Sequence, residues 1–324
     1  MTKLVKNIFL VLAAVLFCAC HNAPEVQVSV RECAPLPEVR VSARACVLEG
    51  KAYVFGGRDA EKKARKELWQ YDPAADSWTQ INSFPDTGRV NAAITACGDR
   101  LFMGLGFAGR VYVESCYLRD WWSYTPATNE WKRLADFPNM NTVAPVVVSD
   151  GTAVYALFGC GRFQQCRVWQ YSIAEDKWAE LPLREIKPAA FGCAGAMCGG
   201  QLYFGLGFDA HNWRDWFSVT LPENEWKACR SIPGKGREFS ACAANNQYVY
   251  IFGGQYFGGN GTGGEIFESF MRYAPAKDQW EWCGTMPGGR AVNQIAFSID
   301  GKVYFGLGED ENSKGLNTIY CIDE

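Results

Sequence analysis

Gly50-Lys51-Ala52-Tyr53-Val54-Phe55-Gly56-Gly57 places a turn ahead of an aromatic strand that runs into paired glycines. The same succession returns at Gly98 to Phe102, Gly151 to Tyr155, Gly200 to Tyr203, Asn246 to Tyr250 and Gly301 to Tyr304. In the odd units the glycine stretch reads Phe55-Gly56-Gly57, Phe158-Gly159-Cys160-Gly161 and Phe252-Gly253-Gly254. In the even units it reads Gly104-Leu105-Gly106, Gly205-Leu206-Gly207 and Gly306-Leu307-Gly308. A tryptophan after a turn follows (Trp78, Trp131, Trp178, Trp226, Trp280), then an apolar–proline pair (Phe84-Pro85, Phe137-Pro138, Leu181-Pro182, Ile232-Pro233, Met286-Pro287), with Leu36-Pro37 ahead of the first unit. Four marks in one order, at a period of about fifty residues, are the sequence signature of a repeat architecture.

Local patterning says what each repeat is made of. Trp69/Tyr71, Trp122/Tyr124 and Trp169/Tyr171 stand two apart, so each pair shares one face of a strand. A chain with 33 Gly, 12 Trp, 14 Tyr and 20 Phe fits many short strands and tight turns better than a helical bundle. At 48% apolar and 21% charged the 324 residues are globular in composition. A net charge of −3 without a basic cluster excludes nucleic-acid binding, which needs concentrated Lys and Arg. His21 and His211 are the only histidines and no CxxC pair occurs, so neither a metal site nor another cofactor is expected. Gly258 to Gly264 lacks the lysine of a phosphate loop. Beyond Cys18 and Cys20, several cysteines recur in strand slots, as small apolar fillers would. Cys160/Cys166 and Cys193/Cys198, closest in sequence, could pair in an oxidising compartment.

The glycine pair that closes a strand, the phrase Tyr71-Asp72-Pro73 to Trp78, its counterpart Tyr273-Ala274-Pro275 to Trp280, and the spacing together resemble the Kelch repeat. The resemblance covers residues 25–324. It implies an all-β, six-bladed Kelch-type propeller whose blades are four-stranded antiparallel sheets around a channel. The tryptophan mark occurs five times rather than six. Counting six back from Leu36 lands on Val30, in the alternating stretch Val26-Gln27-Val28-Ser29-Val30, while Asn317 to Asp323 matches a third strand with nothing after it. The N-terminal strand is therefore expected to complete the last blade.

Residues 1–20 read as an address. Lys3 and Lys6 precede the apolar run Ile8 to Phe17, whose rise as a helix, about 15 Å, is half of a ~30 Å bilayer core. Phe17-Cys18-Ala19-Cys20 resembles a bacterial lipobox, with Cys20 the residue to be lipidated and residues 21–24 a short tether; an ordinary secretory peptide is the alternative. Export to the cell envelope, with a lipid anchor as the one membrane attachment, is the expectation.

Propeller connectivity puts the loops between second and third strands on one face with the connections between blades. Arg40, Arg89, Arg237 and Arg290 each open an innermost strand there, and Arg58, Arg162 and Gln255 follow the glycines. Guanidinium groups gathered at a channel mouth suit carboxylates or other planar anions, which arginine grips bidentately. The competing reading is that the strand-opening arginines bind carbonyls between blades. Asp209, His211, Trp213 and their neighbours Asn212 and Arg214 combine polar groups with an aromatic, a blend suited to carbohydrate.

The expected function is a binding module, monomeric, that presents this face to a glycan or partner protein. The alternative is a sugar mutarotase or epimerase, because exported six-bladed Kelch propellers include sialic acid mutarotases. Its acid–base chemistry would draw on Arg237-Glu238, or on Asp209 with a neighbouring arginine, and would show as an acidic side chain facing an arginine at the mouth. A copper oxidase of the galactose oxidase kind is excluded, since His211 stands alone in the body.

Overall fold

The computed structural model describes residues 23–109, 113, 116–138, 142, 144–157, 159, 167–182, 190–258 and 263–323. The leader with Cys20, the Cys160/Cys166 pair and Arg162 lie outside these residues. Six four-stranded antiparallel sheets make six blades. The first runs from the axis outward as Arg44–Leu48, Lys51–Phe55, Leu68–Asp72 and Ser77–Gln80. The other five begin with the inner strands Ala93–Cys97, Val146–Ser149, Ala194–Cys198, Ala241–Ala244 and Ile295–Ile299. Each inner strand neighbours the next and the sixth returns to the first, so the ring is closed.

Closure is non-covalent. The last blade is built from Ile295–Ile299, Lys302–Gly306 and Ile319–Asp323, and its outer strand is Ser29–Cys33 from the other end of the chain. Ser29 lies opposite Asp323 and Cys33 opposite Ile319. Val30 faces Ile322 as Trp78 faces Tyr71 and Trp280 faces Tyr273, so it fills the tryptophan slot of the sixth blade. Without this strand, Ile319–Asp323 would be an uncovered edge.

Strand register explains the two glycine patterns. Phe55 pairs with Arg44 and Gly104 with Ala93, so Phe55-Gly56-Gly57 and Gly104-Leu105-Gly106 fill the same three slots. The second and third slots are left-handed in both, with φ of 66° and 83° at Gly56 and Gly57 and of 55° and 79° at Leu105 and Gly106. The third must be glycine: a Cβ on Gly106 would lie 2.5 Å from the Val90 carbonyl oxygen. The second tolerates leucine at a cost of about 1–2 kcal/mol, which burial of Leu105, Leu206 and Leu307 offsets. In the third blade Val146 pairs with Leu157, so Leu157 takes the first slot and Gly159, left-handed at φ 77°, takes the third.

The tyrosines, tryptophans and hairpin acids staple blades together. Tyr71 donates its hydroxyl to Asp76 Oδ1 (2.6 Å), which also accepts the Ala34 N–H (2.9 Å), while Trp78 Nε1 donates to the Ala34 carbonyl (2.9 Å). Tyr171, Asp176 and Trp178 grip Ala135 in the same way, and Tyr273, Asp278 and Trp280 grip Arg230. Each odd blade is therefore tied to the chain leaving the blade before it. Trp121, Trp216 and Trp280 are fully buried between blades, and truncation to alanine at such a site costs about 3–5 kcal/mol.

Candidate functional site at the channel mouth

The inner strands begin at a ring. Ser42, Asn91, Ala144, Gly192, Phe239 and Asn293 occupy one slot per blade, all left-handed with φ between 49° and 65°. The N–H of Ser42 donates to the Asn293 carbonyl (3.2 Å), Asn91 to Ser42 (3.0 Å), Ala144 to Asn91 (3.1 Å), Phe239 to Gly192 (2.8 Å) and Asn293 to Phe239 (3.2 Å). A belt of main-chain hydrogen bonds thus rims the channel, and the bore beneath it holds a cavity of about 130 Å³.

One residue before the belt, five blades among the described residues bridge to the residue that follows their glycines. The pairs are Val41/Arg58, Val90/Phe107, Phe191/Phe208, Glu238/Gln255 and Val292/Glu309. This slot sets the chemistry of the mouth, which divides into two arcs.

The polar arc spans blades five, six and one. Arg58 Nη2 donates to both oxygens of Glu309, at 2.9 and 3.1 Å, and Asn293 Nδ2 donates to Glu309 Oε1 at 3.3 Å. Glu238 and Gln255 exchange both backbone hydrogen bonds, and Gln255 Nε2 donates to Glu238 Oε1 at 2.9 Å. The other carboxylate oxygen, Oε2, is buried without a partner. Burial pushes the Glu238 carboxyl up to about 7, against the opposing pull of the Gln255 hydrogen bond.

The apolar arc belongs to blades four and five. Phe191 lies 5.5 Å from Phe208 and 5.8 Å from Phe239 between ring centroids, and Phe208 lies 5.3 Å from Phe257. Phe257 is 47% exposed, a large apolar side chain left at the surface. Asn212 Oδ1 accepts the Phe257 N–H (2.7 Å) and so ties the fourth blade's loop to the fifth's. In that fourth loop His211 stacks on Trp213 with centroids 4.2 Å apart. Asp209 spends its carboxylate on its own loop, accepting the N–H groups of Ala210 and His211, with His211 Nδ1 3.7 Å away.

The arginines expected at the mouth do not gather there. Arg40 is buried and donates to Glu38 (2.8 Å), Glu67 (3.3 Å) and the Val39 carbonyl. Arg89, equally buried, makes a bidentate pair with Asp120 at 2.8 and 3.1 Å and lies over Phe84. Arg237 donates to the Gly253 carbonyl (3.2 Å) and Ser269 Oγ (3.3 Å) and stacks on Phe267. All three stand two residues ahead of the belt and lock blade connections, which is the structural alternative raised for them. In the sixth blade that place holds Ala291, so Arg290 falls one residue out of register, faces solvent and meets Glu311 at 3.1 Å. Of the described candidate arginines, Arg58 alone joins the mouth's polar arc.

Phe107, Phe208 and Glu309 occupy the mouth slot without having been singled out in the sequence. The signal is present in the sequence, since each directly follows its unit's last glycine as Arg58 does. Arg44, on an inner strand and lining the bore, carried no sequence signal of its own.

The fold agrees with what the chain resembles. Residues 16–207 match the KLHDC2/KLHL20/DRC7 Kelch-repeats domain, and the chain belongs to that family of Kelch propellers. Mouse Kelch-like protein 35 is 25% identical over 78% of this chain and 40% of its own length. The N-acetylneuraminate epimerase of Pasteurella multocida (strain Pm70) is 26% identical over 71% of this chain and 56% of its own. N-acetylneuraminate epimerase 1 of Escherichia coli O6:H1 is 24% identical over 68% of this chain and 74% of its own. The chain spans about half the length or less of the first two. A solved structure titled "Structure of YjhT" superposes with a TM-score of 0.73 at 14% identity, covering 89% of this chain and 95% of that one, a likeness of fold.

Proposed function

We propose that the chain is a carbohydrate-binding propeller that takes a saccharide at its loop-face mouth. The observation that carries this reading is the pairing of an aromatic wall, Phe208 and Phe257, with a hydrogen-bonding arc of Asn293, Gln255 and the Arg58–Glu309 pair. Sugars present both an apolar ring face and hydroxyls, and sites for them combine those two kinds of surface. Relatives named for N-acetylneuraminate direct the first trial towards that sugar. Calorimetric titration of the full chain with N-acetylneuraminate and neutral hexoses is expected to give saturable binding that Phe208→Ala weakens at least tenfold. Silence across that set and a glycan array would overturn it.

A second reading has its own observation. Glu238, held near neutrality by burial with one oxygen uncommitted, is suited to exchange a proton at pH 7. An acidic group also faces an arginine at the mouth, in Glu309 and Arg58. On this reading the chain equilibrates the anomers of the sugar it binds. Polarimetry or NMR of anomer exchange separates the two: acceleration abolished by Glu238→Gln, with binding retained, favours the epimerase, and no acceleration leaves the binding module.

We infer, from Lys3, Lys6, the apolar run to Phe17 and Ala19-Cys20, that the propeller is exported and tethered by a lipid on Cys20. Labelled palmitate is expected to be incorporated by the native chain and not by Cys20→Ala; equal labelling would refute the tether.

A further inference from the structure

Arg44 and Arg237 are the described inner arginines without an ion-pair partner, and Arg237 is covered by the Phe267 ring while Arg44 faces the open bore. Arg44 lies at the top of the first inner strand and lines the bore with small residues, among them Ala45 on its own strand and Gly195, Cys242 and Ala296 on other inner strands. Its guanidinium donates from Nη1 to the Ala43 carbonyl (3.0 Å) and from Nη2 to Asn91 Oδ1 (3.0 Å). Both acceptors are neutral, and these two bonds use two of the five N–H donors that a guanidinium carries. Among the described residues no carboxylate lies within ion-pair reach of it. By contrast Arg40, Arg58, Arg89 and Arg272 each meet at least one.

Arg44 is half-buried, so its open side can take an anion in place of water. Removing a guanidinium from water costs heavily unless an anion or a full set of acceptors replaces the solvent. Burial pulls the Arg44 guanidinium down to about 10, with no charged neighbour acting in the other direction. The fold supplies hydrogen-bond acceptors and no charge, and it leaves an adjoining cavity of about 130 Å³. That space is ample for one small oxyanion.

We propose that the bore is a binding site for a small free oxyanion, of the formate or inorganic phosphate kind, held by the spare N–H donors of Arg44. The site goes beyond the carbohydrate reading of the mouth and does not rest on it. Arg44 fixes the charge and Asn91 fixes the plane of the guanidinium, while Ser240, Asn293 and Gln294 add polar groups to the wall. A bidentate grip on two oxygens of one anion is the geometry that a planar guanidinium favours.

The test is the melting temperature of the full chain titrated with sodium formate and, separately, inorganic phosphate, at ionic strength held constant with a bulky buffer anion. A ligand that binds the folded state alone raises the melting temperature in a saturable way. The expected result is saturable rises in the native chain, absent from Arg44→Met and from Arg44→Gln, and retained in Phe208→Ala. Should Arg44→Met fail to fold, Arg44→Gln keeps the comparison, and calorimetric titration of the native chain with formate reads the site directly. The proposal is overturned by no saturable response in the native chain, by the same response in the Arg44 variants, or by a response to N-acetylneuraminate with none to either small anion.

Discussion

At the scale of single residues, the third-slot glycines and Glu238 show how a backbone requirement and a side-chain choice differ. Gly254 can carry no side chain: its φ is 89° and a Cβ would sit 2.2 Å from Ser240 Oγ and 2.8 Å from the Glu238 carbonyl oxygen. Glu238, whose backbone does the same bridging work as that of Val41 or Val292, is a free choice that burdens the fold. Its folded carboxyl titrates near 7, above its ordinary range, so the folded state holds a proton that the unfolded chain has lost. Stability from this group is therefore full below about pH 4 and falls as the pH rises towards 7. Chemical denaturation of Glu238→Gln at several pH values should show a gain on the order of a few kcal/mol at pH 8 and little change at pH 4. A gain equal at both values would remove the carboxyl as its cause.

At the scale of elements, the staple between an odd blade and its predecessor carries a pH dependence of the opposite sign. Asp76, Asp176 and Asp278 each accept a tyrosine hydroxyl and a backbone N–H, and these bonds hold their carboxyls below the ordinary carboxylate range despite some desolvation. A depressed carboxyl contributes stability that is present above its unfolded pKa, about 4, and lost as the pH falls through the folded value. Tyr171→Phe keeps the ring and removes the hydroxyl, and should cost about 1–2 kcal/mol at pH 7. The cost should shrink in acid, read from denaturant midpoints at pH 7 and pH 3. If the loss is the same at both, the hydroxyl–carboxylate bond is not what the tyrosine supplies. The same staple at Asp76 grips Ala34, immediately after the closing strand, so it also secures the seam of the ring.

At the scale of the whole molecule, closure by Ser29–Cys33 makes the two chain ends parts of one sheet. Deleting residues 25–32 should abolish cooperative unfolding by circular dichroism; an unchanged melting curve would show that the ring does not depend on its N-terminal strand. This much was legible before any coordinates, because a missing tryptophan mark and an orphan third strand are defects that cancel only when joined. The sixfold period was legible for the same reason: glycine and aromatic slots are enforced by backbone geometry in every blade. Chemistry at the mouth was less so. Arg40, Arg89 and Arg237 read as ligand groups because sequence shows charge and not direction, and side chains opening a strand point alternately into the blade junction and the lumen. Arg44 was invisible because nothing in the order of residues says that its charge has no partner in space.

The belt of peptide groups around the mouth has a consequence for how such a disc can be altered. Since Ser42, Asn91, Ala144, Phe239 and Asn293 each donate a main-chain N–H to the carbonyl of the neighbouring rim residue, those rim bonds do not depend on the side chain that a position carries. Rim positions other than Gly192, where a Cβ would crowd Phe239, can then be exchanged for residues that accept a left-handed backbone, changing what the aperture admits.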